Sequence, residues 1–266
     1  MVLRSPIALV LLLVCAASGC VGDDAPDDPF DSGNAGKGGS GGAGGSTRAG
    51  SGGSGGSGGS SDGLPKPGSK QSHFPMIPGS TWTYHHFNPT KDPWDEIASI
   101  QATTYKGGDA FQLQDQEDAQ GEQTTSTLII DGTAVYRAYR EVSVSGQVAV
   151  KTTYDPGFLR YDEALDTEGE MRMIVDGWQQ ECVTNATSNC APGAIKPGMT
   201  THTFKVLSTS AKVTVGAGTF DTVQIERVNI EDAEIKHFWF AVGIGKVREL
   251  DVGSGATEEL TEYDIP

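Results

Sequence analysis

Residues 211–225 have the sequence AKVTVGAGTFDTVQI, and its pattern predicts two strands joined by a tight turn. Before the turn, small and apolar residues alternate with Lys212 and Thr214. Such alternation is typical of an antiparallel strand with one buried face. Gly216 and Gly218 permit the chain to reverse, because glycine adopts backbone conformations that other residues avoid. The segment therefore predicts a β-hairpin.

A period of two recurs through the chain from about residue 73 onward. In TWTYHHF, residues 81–87, Trp82 and Tyr84 share one face of a predicted strand. Frequent Thr, Val and aromatic residues favour strands as well. Further predicted strands lie near 96–105, 109–114, 124–131, 133–144, 147–154, 170–175, 201–206, 221–229, 233–242, 245–251 and 257–263. We predict an all-β domain over 73–266, built of antiparallel strands as a strongly curved sheet, like a half-barrel, or as a barrel.

Residues 1–19 have the features of a bacterial lipoprotein signal peptide. Arg4 supplies a positive charge, and the apolar run IALVLLLV that follows is too short to span a bilayer as a helix. Small residues then precede Cys20, which resembles the lipobox of bacterial lipoproteins, where a cysteine thiol receives a diacylglyceryl group. We predict cleavage before Cys20 and lipid attachment to it. The alternative is an ordinary secretory signal in which Cys20 is incidental.

Residues 20–72 are predicted to form a disordered linker between the lipidated cysteine and the domain. An acidic start is followed by a stretch, 33–63, that consists mainly of Gly and Ser. Such a segment has almost nothing apolar to bury and cannot repay its ordering entropy. As a flexible coil it would reach on the order of 40 Å for about 50 residues. The predicted partner of this end is a membrane, and Val21 after Cys20 favours the outer membrane of the cell envelope.

The charge of the chain argues against nucleic acid as a partner. It carries 19 Lys and Arg against 35 Asp and Glu, a formal net charge of -16. A strongly acidic protein repels a polyanion, and no basic cluster in the sequence offsets the repulsion.

Two cysteines lie in the predicted domain, Cys182 and Cys190. Outside the cytoplasm such a pair usually oxidises. Closing so short a loop would stabilise the fold by roughly 2 to 3 kcal/mol in the chain-entropy description. We predict a disulfide; a metal-binding or catalytic pair is the alternative.

Three segments resemble a broad group of poorly characterised bacterial exported β domains, many of them lipoproteins. They are FPMIPGSTWTY at 74–84, VTVGAGTFDTVQI at 213–225 and FWFAVGIGKVR at 238–248, and the group shares the patterns PxxGxxWxY, AGTFxxxxV and WxAxGxGxV. The resemblance implies fold determinants rather than a reaction, since the group has no established activity. The implied fold residues are Trp82, Tyr84, Gly218, Phe220, Trp239, Gly243 and Gly245. Some similar domains are half-barrels that handle lipids or lipoproteins, an analogy at the level of the fold.

No catalytic, cofactor or metal site is predicted from the sequence. His85 and His86 are adjacent on a predicted strand, so they point to opposite faces and cannot grip one metal together. We interpret all the histidines as lying at the surface or at sheet edges. They are His73, His85, His86, His202 and His237.

Two clusters of carboxylates allow two interpretations. One comprises Asp115, Glu117, Asp118 and Glu122, and the other comprises Asp162, Glu163, Asp166, Glu168 and Glu170. Calcium needs six to eight oxygen ligands on a bending loop, which either cluster could supply. Neither has the order of an EF-hand, so solvated turns are the favoured interpretation.

Two functions of different classes follow from these features. The first is a non-enzymatic envelope domain, displayed on a long tether, that binds a ligand or a partner. The second is an envelope hydrolase or a lipid-handling protein whose site forms only in the folded state. The interior of the domain distinguishes them, because a ligand needs a cavity and an enzyme needs converging polar groups with shifted pKa values.

Overall fold

The computed structural model describes residues 64–118, 121–184 and 191–266. The regular elements within them are twelve strands. These are β1 (Thr81–Asn88), β2 (Lys91–Tyr105), β3 (Gly108–Asp115), β4 (Glu122–Asp131), β5 (Ala134–Val144), β6 (Gln147–Asp162), β7 (Met171–Cys182), β8 (Ile195–Val215), β9 (Gly218–Asn229), β10 (Ile235–Ala241), β11 (Gly245–Asp251) and β12 (Thr257–Asp264). In this part of the chain we find no helix with the length and apolar character needed to cross a membrane.

Every strand pairs antiparallel with the strand before and after it, and β12 pairs with β1 to close the barrel. At the closure Thr81 lies opposite Asp264, and Tyr84 lies opposite Leu260. The prediction of an all-β antiparallel fold is confirmed, and of the predicted shapes the structure adopts the closed barrel. The predicted strands 201–206 and 211–215 are one strand, β8, because its pairing with β9 continues through irregularities between Val206 and Ala211.

The hairpin of β8 and β9 forms where the glycine-rich segment predicts it. Val215 pairs with Gly218 across the turn. The tip of the hairpin lies against β12, where the Ala217 amide donates a hydrogen bond of 2.9 Å to the Leu260 carbonyl. The ring of Phe220 lies 6.3 Å from that of Tyr263. The hairpin therefore helps to hold the closing strand in place.

Two apolar clusters fill much of the barrel. Their buried side chains come from strands far apart in the sequence, and each large side chain stabilises the fold by roughly 1.5 to 3 kcal/mol. The first cluster includes Trp82, Tyr84, Ile100, Leu113, Leu128, Trp239 and Leu260. The second includes Leu159, Tyr161, Leu165, Phe204, Val206, Ile225, Phe238 and Phe240.

Residues 64–80, here called the strap, lie before β1 and pack onto one end of the barrel. Met76 is buried in the first cluster, and Phe74 packs against both clusters. The Gly243 amide, in the β10–β11 turn, donates a 2.8 Å hydrogen bond to the Ser72 carbonyl. Residues 64–72, which are predicted above to be part of the linker, therefore include a segment that contacts the barrel.

Candidate functional site

A cavity lies inside the barrel beneath the strap. Its volume is about 40 Å³, counted as the space open to the centre of a water molecule. That volume holds roughly three water molecules, since one needs about 10 to 15 Å³ by this measure. Most of the wall is apolar and comes from both the strap and the strands. The apolar lining includes Phe74, Leu159, Leu165, Phe204, Phe238 and Phe240.

Three cationic side chains also line the cavity: Arg160 from β6, Arg227 from β9 and Lys246 from β11. The barrel brings them together because their strands place them on its inner side. The Arg227 guanidinium lies 5.2 Å from the centre of the Phe238 ring and 5.5 Å from that of Phe158. These aromatic faces stabilise a cation that is removed from water.

Lys246 is the centre of a buried ion network. Its Nζ donates to Glu249 Oε2 at 2.7 Å and to Glu258 Oε2 at 2.8 Å. A second lysine, Lys236, lies with its Nζ 3.6 Å from Glu249 Oε1. The Lys246 ammonium also lies 5.3 Å from the centre of the Tyr84 ring. The network therefore fixes the Lys246 ammonium at the edge of the cavity by two short hydrogen bonds.

Burial shifts the pKa values of the groups around the cavity. It lowers the pKa of Arg160 to about 9, and the neighbouring positive charge of Arg227 acts in the same direction. Burial also raises the pKa of Glu258 to about 7, although Lys246 opposes the change. For Glu249, burial alone would raise the pKa, but the two lysines outweigh it and the pKa is lowered. The interior thus contains an arginine, Arg160, with a lowered pKa and a carboxyl, Glu258, whose pKa is near neutral.

Two buried histidines belong to the same interior. His86 stacks on Trp94 with 4.6 Å between the ring centres, and its Nε2 lies 3.3 Å from Glu96 Oε2. Burial alone would lower its pKa, but Glu258 and Glu96 raise it. His202 is also buried, and burial lowers its pKa. The interpretation of all histidines as surface or sheet-edge residues is therefore wrong for these two.

Two of the segments that resemble exported β domains, 74–84 and 238–248, meet beside the cavity. Trp82 Nε1 donates a 2.7 Å hydrogen bond to the Ile244 carbonyl, and the Tyr84 hydroxyl donates to the Lys246 carbonyl at 3.0 Å. Gly245, with a φ of 102°, lies against Pro75 of the strap: a Cβ there would be 3.6 Å from the proline Cδ. The two segments therefore join the strap and β1 to β11.

The other predicted fold residues lie nearby. Gly218 starts β9 with a φ of 139°. Trp239 is buried in the first cluster, with the Arg248 guanidinium 5.2 Å from its ring centre, and Phe220 packs against the edge of that cluster. Gly243 has a φ of 73° and supports the strap.

Three carboxylates of the acidic clusters are not solvated. Asp115 is buried at the end of β3, and burial raises its pKa. Glu163 is buried and accepts hydrogen bonds from the Ser72 hydroxyl at 2.6 Å and the His73 amide at 2.8 Å. Asp162, also buried, accepts from the Thr133 hydroxyl at 2.7 Å and pairs with Arg172. The preference for solvated turns is wrong for these three side chains; Glu163 holds the strap and Asp162 holds the loop that follows β6.

The remaining predictions concern metal ligands, the cysteine pair and the signal segment. Within residues 64–118, 121–184 and 191–266, no group of three or more His, Cys, Asp or Glu side chains has the arrangement of a metal site. Cys182 is buried at the end of β7. Cys190 lies outside the described residues, so the disulfide stays a prediction. Cys20 and the predicted signal peptide also lie outside them.

The charged interior was not predicted from the sequence. The pattern that indicates it is a Lys or Arg two residues from an apolar residue on a strand, since both side chains then point to the same face. Arg227 follows Val223 and Ile225 at intervals of two, and Lys236 precedes Phe238 in the same way. Both cations are buried with these apolar neighbours. A charged residue at an inward position of a strand predicts an interior polar network or a ligand site.

Comparison with known proteins identifies no family for this chain. No protein-family model matches the chain, and no curated protein matches it. A solved structure from Bacteroides fragilis NCTC 9343, of a protein assumed to be exported and with a YmcC-like fold, aligns with 72% of this chain and 98% of its own. The two are 11% identical and superpose with a TM-score of 0.41, a similarity too weak to carry an argument about fold or function.

Proposed function

We propose that this chain is an exported lipoprotein, anchored in the outer membrane through Cys20, whose barrel domain binds a small ligand in its interior. The lipobox-like sequence and the long Gly and Ser segment support the anchor and tether. A domain on such a tether can search the volume around its anchor point for that ligand.

The cavity carries the ligand-binding part of the proposal. A barrel stabilised only by its core would fill its interior with apolar side chains, because buried charges are costly. Here Arg160, Arg227 and Lys246 line a space that admits water-sized groups. An open space whose wall carries both cationic and apolar groups is explained if a ligand fills it in the working protein.

Binding is favoured over catalysis by the residue types that line the cavity. Its described lining contains cationic, aromatic and aliphatic side chains together with Tyr84, whose pKa burial raises well above its usual value. Those groups hold a charged or apolar ligand, whereas general acid–base or nucleophilic catalysis needs a group that exchanges protons near neutral pH. Glu258 titrates in that range, but its carboxylate is bonded to Lys246.

Native mass spectrometry tests the proposal. The protein is the whole mature chain, residues 20–266 with Cys20→Ser, exported with an ordinary secretory signal so that no detergent is needed. We expect a bound molecule of defined mass that is lost from Leu159→Trp, which fills the cavity. A matched control is Met199→Trp, at an exposed position on β8. A mass equal to the bare chain in all three proteins would refute ligand binding. The same spectra test the disulfide, which removes two hydrogen atoms from the mass.

A further inference from the structure

The strap contains a loop whose two ends are fastened to each other. The Met76 amide donates a 3.0 Å hydrogen bond to the Gly68 carbonyl, and Gly68 also forms a β-bridge with Pro75. Residues 69–74, here called the flap, therefore leave and rejoin the strap at nearly the same point. Compact surface loops with ends close together are frequently functional. Lifting the flap would leave the pairing at its base intact.

The flap contributes one aromatic ring to the wall of the cavity. Phe74 lines the cavity and packs against both apolar clusters, with its ring centre 6.2 Å from that of Phe240. In the described barrel every strand pairs with both of its neighbours. A molecule therefore reaches the interior through an end of the barrel, and at this end the flap lies across its path.

One buried carboxylate fastens the flap to the barrel. Glu163 follows β6, and its Oε1 accepts hydrogen bonds from the Ser72 hydroxyl at 2.6 Å and from the His73 amide at 2.8 Å. Its Oε2 lies 2.9 Å from His73 Nδ1. Hydrogen bonds to an ionised acceptor are stronger than neutral ones, and more so away from water. This single side chain therefore holds the flap through three contacts.

The other attachments of the flap are lighter. The Gly243 amide donates to the Ser72 carbonyl at 2.8 Å, and Phe74 is half-buried. Met76, which is fully buried, lies beyond the base of the flap and need not move with it. Segments with few buried apolar contacts open locally at a lower cost in free energy than unfolding of the whole domain. These contacts permit the flap to open while the barrel stays folded.

We propose that the flap is the gate of the cavity and that Glu163 is its latch. A ligand enters and leaves when Ser72 and His73 release the Glu163 carboxylate and Phe74 swings out of the wall. The proposal rests on the interior binding proposed above and adds the route by which that site is reached. Glu163 does not line the cavity, so it is a positioning residue that acts on the ligand through the flap.

A cysteine in the cavity wall tests the gate without any ligand. Leu159 is buried and lines the cavity, so Leu159→Cys in the Cys20→Ser chain should react slowly with the small reagent methyl methanethiosulfonate. When closing is faster than labelling, the labelling rate follows the population of the open form. Adding Glu163→Gln should raise the rate at position 159 at least 10-fold, because the charged acceptor is lost. Glu168→Gln, at an exposed position nearby, is the matched control and should leave the rate unchanged.

A second buried cysteine separates opening of the flap from unfolding of the barrel. Ala149 is buried in another cluster, with Val142 and Val150. Glu163→Gln should not accelerate labelling of Ala149→Cys, and peptide mass spectrometry assigns the label to its position. Should Glu163→Gln fail to fold, Ser72→Ala removes one of the three contacts and should raise the rate at position 159 about 3-fold.

Each outcome supports or overturns the gate. Faster labelling at position 159 alone supports it. An unchanged rate at position 159 overturns it, because the cavity is then reached without release of the latch. Equal acceleration at positions 149 and 159 also overturns it, because the whole barrel then opens. If native mass spectrometry shows a bound molecule while the rate at position 159 stays unchanged, only the gate fails. If no molecule is bound, the proposed function fails, whatever the labelling rate.

Discussion

Replacing Gly243 by alanine should release the strap from the barrel. Gly243 has a φ of 73°, and a Cβ at this position would lie 2.7 Å from the Lys70 carbonyl oxygen. That oxygen belongs to the backbone of the strap, so it moves only if the strap moves. The Gly243 amide also donates the 2.8 Å hydrogen bond to the Ser72 carbonyl, which the same displacement would lengthen.

The loss can be divided into parts and compared with a control. The left-handed backbone conformation costs a residue with a Cβ about 1 to 2 kcal/mol. The hydrogen bond and the displaced contacts add about 1 to 2 kcal/mol more. Gly107 has a φ of 82° in the β2–β3 turn, and a Cβ added there would meet no described atom within 4 Å. We therefore expect Gly107→Ala to lose only the first part and Gly243→Ala to lose both.

Two measurements on the Cys20→Ser chain separate these contributions. Urea unfolding gives the free energy of unfolding, in which Gly243→Ala should fall about 1 to 2 kcal/mol below Gly107→Ala. Tryptic cleavage after Lys70 reports opening of the strap, and should accelerate roughly 10-fold or more in Gly243→Ala only. Equal destabilisation and equal cleavage rates for the two variants would show that the strap is not held at this turn.

Three further outcomes follow from the sequence and the site. Cys20→Ser in the chain with its own signal should abolish incorporation of labelled palmitate, and undiminished labelling would rule out Cys20 as the anchor. Because the pKa of Glu258 is raised to about 7, its contribution to stability is present below its unfolded pKa and lost as the pH rises through 7. Between pH 5 and pH 8 the parent chain should lose roughly 2 to 3 kcal/mol more of its free energy of unfolding than Glu258→Gln, as measured by urea unfolding, and parallel losses would contradict the shift. Trp82→Phe removes the hydrogen bond to the Ile244 carbonyl and should cost about 1 to 3 kcal/mol in free energy of unfolding, whereas a loss below about 0.5 kcal/mol would show that this bond is replaced.

The strands were predictable because alternation is a local property. Trp82 and Tyr84 share a face in the sequence and are both buried on β1. Closure of the barrel was not, since it depends on the pairing of Thr81 with Asp264 at opposite ends of the domain. No local pattern reports whether the two edges of a curved sheet meet.

The candidate site was predictable only in outline. The family-like segments contain Phe74, Trp82, Phe238 and Gly245, all of which line the cavity. The cation Arg160 lies between Leu159 and Tyr161, where an alternating strand would place it on the face opposite to both. All three nevertheless line the cavity, because the β5–β6 pairing is irregular there. Such irregularities depend on the packing of neighbouring strands, so the sequence of one strand does not reveal them.

The pairing of β1 with β12 sets the order in which this domain can mature. Until the last strand is present, β1 lacks one of its two neighbours, and β11 exposes a row of unpaired backbone groups. The Trp82 indole also waits for a distant part of the chain, because its acceptor, the Ile244 carbonyl, lies 162 positions later. A contact so distant in sequence forms slowly, because the loop must close before the pairing rewards it. Translocation must therefore deliver residues up to β12 before the barrel can close, and until then its two open edges are exposed to aggregation.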